Sequence, residues 1–354
     1  MNYNIALLPG DGIGPEVIEQ AVNILNAVAQ RFGHRYTFTR SLVGAAAIDA
    51  TGNPLPEETL ANCLAADAVL FGAIGHPKYD HDPSAKVRPE QGLLAMRKQL
   101  GLFANIRPVS AYDQLLDASP LKPEVVKGTD LVVVRELIGG IYFGEPRGRS
   151  ENGFTAFDSC VYDRHSILRI TETAFQYARQ RRGKVTLVDK ANVLATSRLW
   201  REVVGEYALE HNDVELDTMF VDNAAMALIQ QPTRFDVILT SNLFGDILSD
   251  EASVLTGSLG TLPSASMGEK TSVYEPVHGS YPQAAGQNRA NPLAAILSAA
   301  MMIELEFEQS REAQAIRDAV SKSIEEGITT EDLAQGKAST KEVGNFITEQ
   351  IIAS

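Results

Sequence analysis

Two aspartates, Asp246 and Asp250, lie four residues apart in a segment that follows an apolar run. On a helix this spacing places both carboxylates on the same side. Like charges so placed repel each other by about 0.2–0.5 kcal/mol, and no Lys or Arg lies between Thr240 and Gly260. A cation from elsewhere in the molecule should therefore meet them. A divalent metal is the simplest candidate because hard cations take oxygen ligands, and a solvated acidic surface is the alternative.

Three arginines follow or end apolar runs, namely Arg97, Arg107 and Arg135. The planar guanidinium group can bond both oxygens of a carboxylate. As a set, the three would therefore match a substrate that carries two carboxylates. Taken singly, each arginine is more typical of a protein surface.

Lys190 and Asp222 are each predicted to end a strand, and Tyr142 lies in the glycine-rich segment GGIYFGE. Residues at the carboxyl ends of strands line the ligand crevice of open α/β sheets. Near a metal, a lysine loses its proton more easily and can act as a base, whereas alone it is more often a salt-bridge partner. For the tyrosine, packing in the core is the alternative.

Strand-like runs alternate with helical periodicity, which predicts an α/β fold. The predicted strands are Tyr3–Leu8, Ala68–Gly72, Leu131–Arg135, Val185–Asp189, Met219–Asp222 and Val237–Thr240. Pro15 and Glu16 open a helix, where a missing N–H and a negative charge are both tolerated. Phe154–Tyr162 alternates loosely and predicts a hairpin arm, while Ser339–Glu342 has the pattern of a capping box that opens the last helix.

The segment GDGIG resembles the start of a dinucleotide-binding fingerprint, but two requirements of that fingerprint are missing. Pro15 occupies the third glycine position, and Gln30 and Arg31 stand where an acidic partner for the ribose is expected. The sequence therefore argues against a Rossmann nucleotide loop.

The composition is that of a globular chain with an acidic balance. Its 354 residues are enough for two domains with hydrophobic cores. The formal net charge of −14 argues against nucleic acid or an anionic membrane as a partner. Two cysteines have neither the number nor the spacing for a disulfide framework or a zinc site. No apolar stretch reaches the length of a membrane span and no export signal is present, so we expect a cytoplasmic protein.

These residues resemble the β-hydroxyacid oxidative decarboxylases, the isocitrate/isopropylmalate dehydrogenase family, over essentially the whole chain. The resemblance rests on eight segments in order: LLPGDGIGPE, PEQGLLAMRK, LFANIRP, RELIGGIYFGEPRG, DKANVL, SNLFGDILSDEAS, GSLGTLPSAS and EPVHGS. It implies a two-domain open α/β sheet that is not of the Rossmann type. The first domain would comprise 1–102 and 255–354, with most of the cofactor site, and the second 103–254, with the metal aspartates, the catalytic lysine and a dimer arm near 150–165.

The resemblance also implies roles for the residues singled out above, in a homodimer with shared active sites. The substrate would be held by three arginines: Arg97, Arg107 and Arg135. Mg²⁺ or Mn²⁺ would be bound by three aspartates: Asp246, Asp250 and Asp222 of the partner subunit, the last of which also contacts the substrate. The partner subunit's Lys190 would take the hydroxyl proton while hydride leaves for the cofactor. The metal would act as a Lewis acid, and Tyr142 would help to protonate the carbon that loses carbon dioxide.

The cofactor implied by the resemblance is NAD, bound along a surface different from a Rossmann site. The residues around it would be Ile13, Glu90, Glu275, His278, Gly279, Ser280, Gln283 and Asn291. NAD-dependent members usually have Asp where this chain has Gln283, and NADP-dependent isocitrate dehydrogenases have Lys then Tyr there. Glutamine can bond ribose hydroxyls but has no charge to repel or attract a 2′-phosphate. We therefore expect NAD, with weaker discrimination against NADP; Tyr281 either contacts the adenosine or is a plain surface residue.

The choice of substrate rests on Leu93 and Leu94. Isocitrate dehydrogenases have polar residues at these positions to meet a third carboxylate, whereas two leucines, with Val193 of the partner subunit nearby, offer an apolar pocket. Burial of an isopropyl group is favourable by about 0.8 kcal/mol per carbon, and a desolvated carboxylate would be strongly penalised. We expect (2R,3S)-3-isopropylmalate to be oxidised and decarboxylated to 4-methyl-2-oxopentanoate in leucine biosynthesis.

Two alternatives stay open at this point. A D-malate or tartrate dehydrogenase would share the arginines, the lysine and the aspartates, but would gain nothing from an isopropyl group. A metal-dependent lyase would release product without reducing a nicotinamide, and would not need the region from His278 to Asn291.

Overall fold

The structure, a computed structural model, describes residues 1–80, 87–333 and 336–353. The chain forms two compact units, one from Met1–Leu102 with Gly257–Ser354 and the other from Phe103–Thr256. Within the described ranges, no helix is both long and apolar enough to cross a membrane. Both cysteines are free thiols.

The secondary-structure elements alternate along most of the chain. The strands are β1 (Asn2–Gly10), β2 (Arg35–Arg40), β3 (Ala68–Ala73), β4 (Ala104–Ser110), β5 (Asp130–Glu136), β6 (Arg147–Arg149), β7 (Ala156–Asp158), β8 (Lys184–Asp189), β9 (Glu215–Phe220), β10 (Val237–Thr240), β11 (Pro263–Met267) and β12 (Val273–Pro276). The helices are α1 (Gly14–Phe32), α2 (Gly44–Thr51), α3 (Glu57–Ala65), α4 (Pro77–Asp80), α5 (Pro89–Gln99), α6 (Pro123–Val126), α7 (Arg164–Arg179), α8 (Ala195–Glu210), α9 (Val221–Gln230), α10 (Asn242–Ser253), α11 (Leu293–Leu305), α12 (Ser310–Glu325) and α13 (Thr340–Ala353).

The unit that holds both termini is built on strands in the order β2–β1–β3–β12–β11. β1 runs parallel to β2 and β3, whereas β11 and β12 are antiparallel to each other. Helix α11 is buried at every position from Leu293 to Ile303, and it packs against α1, β11 and β12. A helix that is apolar on all sides belongs in a core, so α11 is the central core element of this unit.

The other unit is built on strands in the order β4–β5–β10–β8–β9. β5, β10, β8 and β9 are parallel to one another, and β4 is antiparallel to β5. Thr240 at the end of β10 pairs with Arg135 on one side and Val188 on the other. Parallel strands present their carboxyl ends at the same edge of a sheet. Arg135, the start of α10 and Lys190 therefore lie along one edge.

Most predicted elements are present, and two differ in ways that the local sequence explains. The strand predicted at Met219–Asp222 is wrong at its end, because β9 stops at Phe220 and Asp222 lies in the first turn of α9. An acidic residue is stabilised at a helix N-terminus, and the alanine-rich sequence that follows favours a helix. The predicted arm is the second half of an antiparallel hairpin, β6–β7, whose first strand precedes Phe154.

The predicted capping box is confirmed at the start of α13. The Glu342 carboxylate accepts from the Ser339 backbone N–H at 2.7 Å, and the Ser339 hydroxyl accepts from the Glu342 N–H at 3.3 Å. Each side chain thereby satisfies a backbone donor that the helix itself leaves unpaired.

Candidate active site

Arg135 is held rigidly at the edge of the second unit's sheet. Its Nη1 donates to Asp246 Oδ1 at 2.5 Å, while its Nε and Nη2 donate to Asn242 Oδ1 at 3.1 and 2.9 Å. The Asn242 amide in turn donates to the carbonyls of Leu137 and Gly139. Only 2% of the Arg135 side chain is exposed. These contacts hold the Arg135 guanidinium in one orientation, so its N–H donors have fixed directions.

Asp246 and Asp250 project from one side of α10, as the four-residue spacing predicts. Asp246 also accepts a hydrogen bond from the Tyr142 hydroxyl at 2.8 Å. Asp250 accepts from Arg107 Nη1 at 2.9 Å. The side chains are 34% and 66% exposed, respectively. The cations that meet these aspartates within the chain are therefore guanidinium groups, at the place where the sequence alone favoured a metal. We call Arg107, Arg135, Tyr142, Asp246 and Asp250 the acid–arginine cluster.

Arg107 is oriented by two further neutral partners. Its Nε donates to Asn105 Oδ1 at 2.8 Å, and its Nη1 donates to the Ser249 hydroxyl at 2.7 Å. Residues two apart on a strand point to the same face, so the contact with Asn105 follows from their positions on β4. Neither Asn105 nor Ser249 was singled out from the sequence.

Lys190 and Asp222 form a separate pair at the same sheet edge. Lys190 Nζ lies 2.5 Å from Asp222 Oδ1, and 28% of the lysine side chain and 63% of the aspartate side chain are exposed. The Lys190 ammonium group holds the pKa of the Asp222 carboxyl below its ordinary value. The Lys190 backbone N–H donates to the Ser197 hydroxyl, which fixes the turn after β8. Val193, which follows this turn, is among the exposed large apolar residues.

Helix α5, in the unit with both termini, carries four of the predicted site residues. Glu90, Leu93, Leu94 and Arg97 are spaced three, four and seven residues apart, so they lie on neighbouring turns of one side of the helix. Arg97 is buried and its Nη2 lies 3.9 Å from Glu275 Oε1. Leu94 is exposed and Leu93 is half-buried. This side of α5 therefore offers apolar surface one turn from a buried cation.

A cavity of about 570 Å³ opens within the same unit. Its lining consists of Ile13, Leu259, Gly260, His278, Gly279, Tyr281, Arg289, Ala290, Asn291, Glu331 and Asp332. Four of the predicted cofactor residues are thus brought together: Ile13, His278, Gly279 and Asn291.

The other four predicted cofactor residues lie outside this lining. A Cβ atom built on Gly75 would be 3.2 Å from Glu90 Oε1 and 3.6 Å from Ser280 Oγ, so these two side chains approach one glycine. Glu275 faces Arg97. The Gln283 carbonyl accepts from Gln287 Nε2 at 2.5 Å, which ties Gln283 to the loop beside the cavity.

The glycine-rich segment after β1 holds the cavity wall in place. The Ile13 N–H donates to the Ser280 carbonyl at 2.8 Å. Gly12 has a φ of +59°, and a Cβ there would lie 1.9 Å from that same carbonyl oxygen. The Asp11 carboxylate accepts from the backbone N–H groups of Ala45, Ala46 and Gly75. This segment therefore uses its glycines to pack against backbone, in accord with the rejection of a Rossmann loop.

His278 lines the cavity and has a buried ring nitrogen. Its Nδ1 lies 2.9 Å from the Gly279 carbonyl, and its Nε2 is buried without a hydrogen-bond partner among the described residues. Burial lowers the pKa of His278 below its ordinary value, against the opposing effect of Asp332. A neutral histidine that donates from Nδ1 has Nε2 free to accept.

The lowered pKa of His278 predicts acid-sensitive stability. The unfolded chain binds a proton near the ordinary value, whereas the folded chain does so only at lower pH. We therefore expect the contribution of His278 to the unfolding free energy to be constant above about pH 6.5 and to fall as the pH drops through that value towards the folded-state pKa. Urea unfolding of the natural protein and of His278→Gln, at about pH 8 and about pH 5.5, measures this. An equal loss in both proteins would contradict it.

The chain matches the family described as isocitrate/isopropylmalate dehydrogenase over residues 4–347. A 3-isopropylmalate dehydrogenase of Geobacillus kaustophilus is 60% identical over 94% of this chain and 90% of its own length. One of Bacillus subtilis is 54% identical over 100% and 97%, respectively. The crystal structure of isocitrate dehydrogenase from Methylococcus capsulatus has a TM-score of 0.88 at 36% identity, with 99% of each chain covered. A β-decarboxylating dehydrogenase from Thermococcus kodakarensis has a TM-score of 0.81 at 37% identity and covers 99% and 96%.

The chain belongs to the isocitrate/isopropylmalate dehydrogenase family. The predicted family and the predicted α/β fold class are confirmed, and with them the expectation of a dehydrogenase that acts on a small molecule. The roles of the individual site residues stay predictions.

Several residues of the site were missed by the sequence argument. In the acid–arginine cluster these are the orienting partners Asn105, Asn242 and Ser249. Around the cavity they are Leu259, Gly260, Arg289, Ala290, Glu331 and Asp332. Asp332 binds Asn291 Nδ2 at 3.0 Å and also the Ser258 hydroxyl, so it positions a predicted cofactor residue. Its distance in sequence from the glycine-rich segment gave no signal of this role.

Proposed function

We propose that this chain catalyses the NAD-linked oxidation and decarboxylation of (2R,3S)-3-isopropylmalate to 4-methyl-2-oxopentanoate in leucine biosynthesis. The observation that carries the proposal is the acid–arginine cluster, in which two arginines contact two carboxylates of α10. Guanidinium groups suit substrate carboxylates, and carboxylates suit a divalent metal. The relatives at 54% and 60% identity, which bear the name of this activity, support the same substrate. A cytoplasmic location stays a prediction.

The aspartates of the cluster fit a divalent cation. Their carboxylate oxygens are the donors that Mg²⁺ and Mn²⁺ prefer, and both side chains are partly exposed. In the described part of the chain, no three His, Cys, Asp or Glu side chains are grouped so that they could hold an ion. We therefore propose that Asp222 of the partner subunit completes the set. A bound ion would supply Lewis-acid polarisation of the substrate oxygen, and Arg107 and Arg135 would bind the substrate carboxylates.

Two side chains would move protons. The neutral amine of the partner subunit's Lys190 would take the proton of the C2 hydroxyl, which requires its pairing with Asp222 to be exchanged for substrate. The Tyr142 hydroxyl, already directed at Asp246, would return a proton to C3 after carbon dioxide leaves. When bound, NAD would supply the hydride acceptor for the oxidation at C2.

The cavity supports a nucleotide cofactor. Its volume of about 570 Å³ lies in the range of small-molecule sites. The buried acceptor of His278 and the fixed amide of Asn291 give it polar groups among apolar walls. Ile13, which the tight Gly12 turn holds against the Ser280 carbonyl, supplies part of the apolar surface.

Exposed apolar side chains support the proposed homodimer. Met226 on α9 is 54% exposed, Ile247 on α10 is 58% exposed and Val193 beside Lys190 is 61% exposed. Large apolar residues so placed next to functional groups are typical of a protein interface. Covering them with a second copy would bring Lys190 and Asp222 of the partner subunit to a neighbouring active site.

The choice of isopropylmalate is tested by comparing kcat/KM for isopropylmalate, D-malate and isocitrate in NAD reduction with Mg²⁺. Burial of three carbons against Leu93 and Leu94 should favour isopropylmalate over D-malate by about 2.4 kcal/mol, or about 60-fold. Leu94→Ser should reduce that ratio without changing activity on D-malate. A preference for D-malate or isocitrate would overturn the substrate, and product formation without NAD reduction would indicate a lyase.

A further inference from the structure

The cavity rim carries an ion pair whose position bears on cofactor choice. Arg289 Nη2 binds the Glu331 carboxylate, and Arg289 Nη1 donates to Gln287 Oε1 at 3.4 Å. Gln287 Nε2 donates to the Gln283 carbonyl at 2.5 Å. These contacts join Gln283, Gln287, Arg289 and Glu331 in one line, which we call the ribose rim. Gln283 is the residue expected at the ribose hydroxyls, so the rim leads from that position to a guanidinium.

The charge of the cavity is unfavourable for an additional phosphate. Among the described residues, its charged lining side chains are one cation, Arg289, and two anions, Glu331 and Asp332. NADP differs from NAD by a 2′-phosphate that carries close to two negative charges. Placed beside two carboxylates, that group is repelled, and the guanidinium that could pair with it already has a carboxylate partner.

Glu331 and Asp332 differ in what holds them. Asp332 accepts from Asn291 at 3.0 Å and from the Thr330 hydroxyl at 2.6 Å, so its negative charge is part of the scaffold. Glu331 is exposed, as Asp332 also is, and it is held by the ion pair with Arg289. An exposed ion pair contributes little to the stability of the fold. Replacing Glu331 should therefore leave the scaffold intact and free the Arg289 guanidinium to bind another anion.

We infer that Glu331 is a determinant of cofactor specificity, which keeps Arg289 from a 2′-phosphate and so favours NAD over NADP. The inference rests on the proposed function, because it places the adenosine ribose of the cofactor at the ribose rim. It also supplies the discrimination that the uncharged Gln283 does not provide.

The test is equilibrium binding of NAD and of NADP, without substrate, to the full-length protein by calorimetry. The natural protein should bind NAD more tightly than NADP. Glu331→Gln should bind NADP about tenfold more tightly, a gain of about 1.4 kcal/mol, with the affinity for NAD changed less than about twofold. Glu331→Asp should retain the natural preference for NAD, because it keeps the negative charge.

Two further variants identify the cause. Glu349→Gln removes one exposed negative charge on α13, outside the cavity lining, and should leave both affinities unchanged. The double variant Arg289→Leu with Glu331→Gln should lose the gain for NADP. A gain that persists in the double variant would overturn the role of Arg289, since loss of repulsion alone would then explain it.

The result also separates this inference from the proposed function. If the natural protein binds NAD and Glu331→Gln leaves the affinity for NADP unchanged, the role of Glu331 is overturned and the proposed function stands. If the natural protein binds neither nucleotide, the cofactor assignment fails and this inference fails with it.

Discussion

Replacing Lys190 by Met lowers kcat by about 10³-fold or more while the KM for isopropylmalate changes little. The reason is chemical, because methionine keeps the length of the side chain but cannot take the hydroxyl proton, and a positioned base contributes about 10²–10⁴-fold. Steady-state NAD reduction at saturating Mg²⁺ measures the change. Since the lysine side chain is partly exposed, the midpoint of thermal unfolding should stay close to that of the natural protein.

A matched control lies at the other end of the same strand. Lys184 begins β8 and pairs with Glu215 at 2.9 Å, much as Lys190 follows β8 and pairs with Asp222. Functional groups gather at the carboxyl ends of strands, so Lys184→Met should leave turnover unchanged. If both variants lose activity equally, the effect is structural and the assigned role of Lys190 is wrong.

Mixing inactive variants tests whether the site is shared. Lys190→Met and Asp250→Asn should each be inactive alone. If the lysine and this aspartate of one site come from different chains, subunit exchange gives mixed dimers with one intact site, and about a quarter of the natural activity should return. No recovery after proven exchange would place both residues in the same chain's site.

The positions of the chemical groups could be predicted from the sequence where local rules apply. Asp246 and Asp250 share one side of α10 because their spacing matches the helical repeat. Arg135 and Lys190 lie at one edge because one is near the end of β5 and the other follows β8, two parallel strands whose apolar runs can be recognised in the sequence. The pairing of Arg107 with Asn105 follows the two-residue period of a strand.

The contacts between distant segments could not be predicted in this way. Asn242 orients Arg135 from 107 positions away, and no periodicity links the two. Glu331 and Asp332 reach the cavity wall from a segment close to the C-terminus, where they follow two buried threonines and carry no motif. The wrong strand end at Asp222 has a different origin. The apolar residues before it favour a strand, but the alanines after it favour a helix, so the backbone is already helical at Asp222. The positions of these side chains depend on packing between segments that are far apart in the sequence.

The second large effect is on stability, and it separates the two aspartates of α10. Asp246→Asn removes the negative charge that pairs with Arg135, whose side chain is only 2% exposed. Loss of one partner of a buried ion pair costs about 3–5 kcal/mol. We expect about 2–3 kcal/mol here, because Asn242 still accepts from Arg135 and Asp246 is itself partly exposed. Urea unfolding of the variant measures this loss directly.

Asp250→Asn is the matched comparison, one helical turn further along. The Asp250 side chain is 66% exposed, and Arg107 keeps Asn105 and Ser249 as partners. An exposed ion pair contributes less than about 1 kcal/mol, so this variant should unfold almost as the natural protein does while losing turnover. Equal destabilisation of both variants would mean that the loss of unfolding free energy does not depend on the burial of Arg135. Retained turnover in Asp250→Asn would instead remove it from the proposed metal site, because the same substitution takes away a charged ligand.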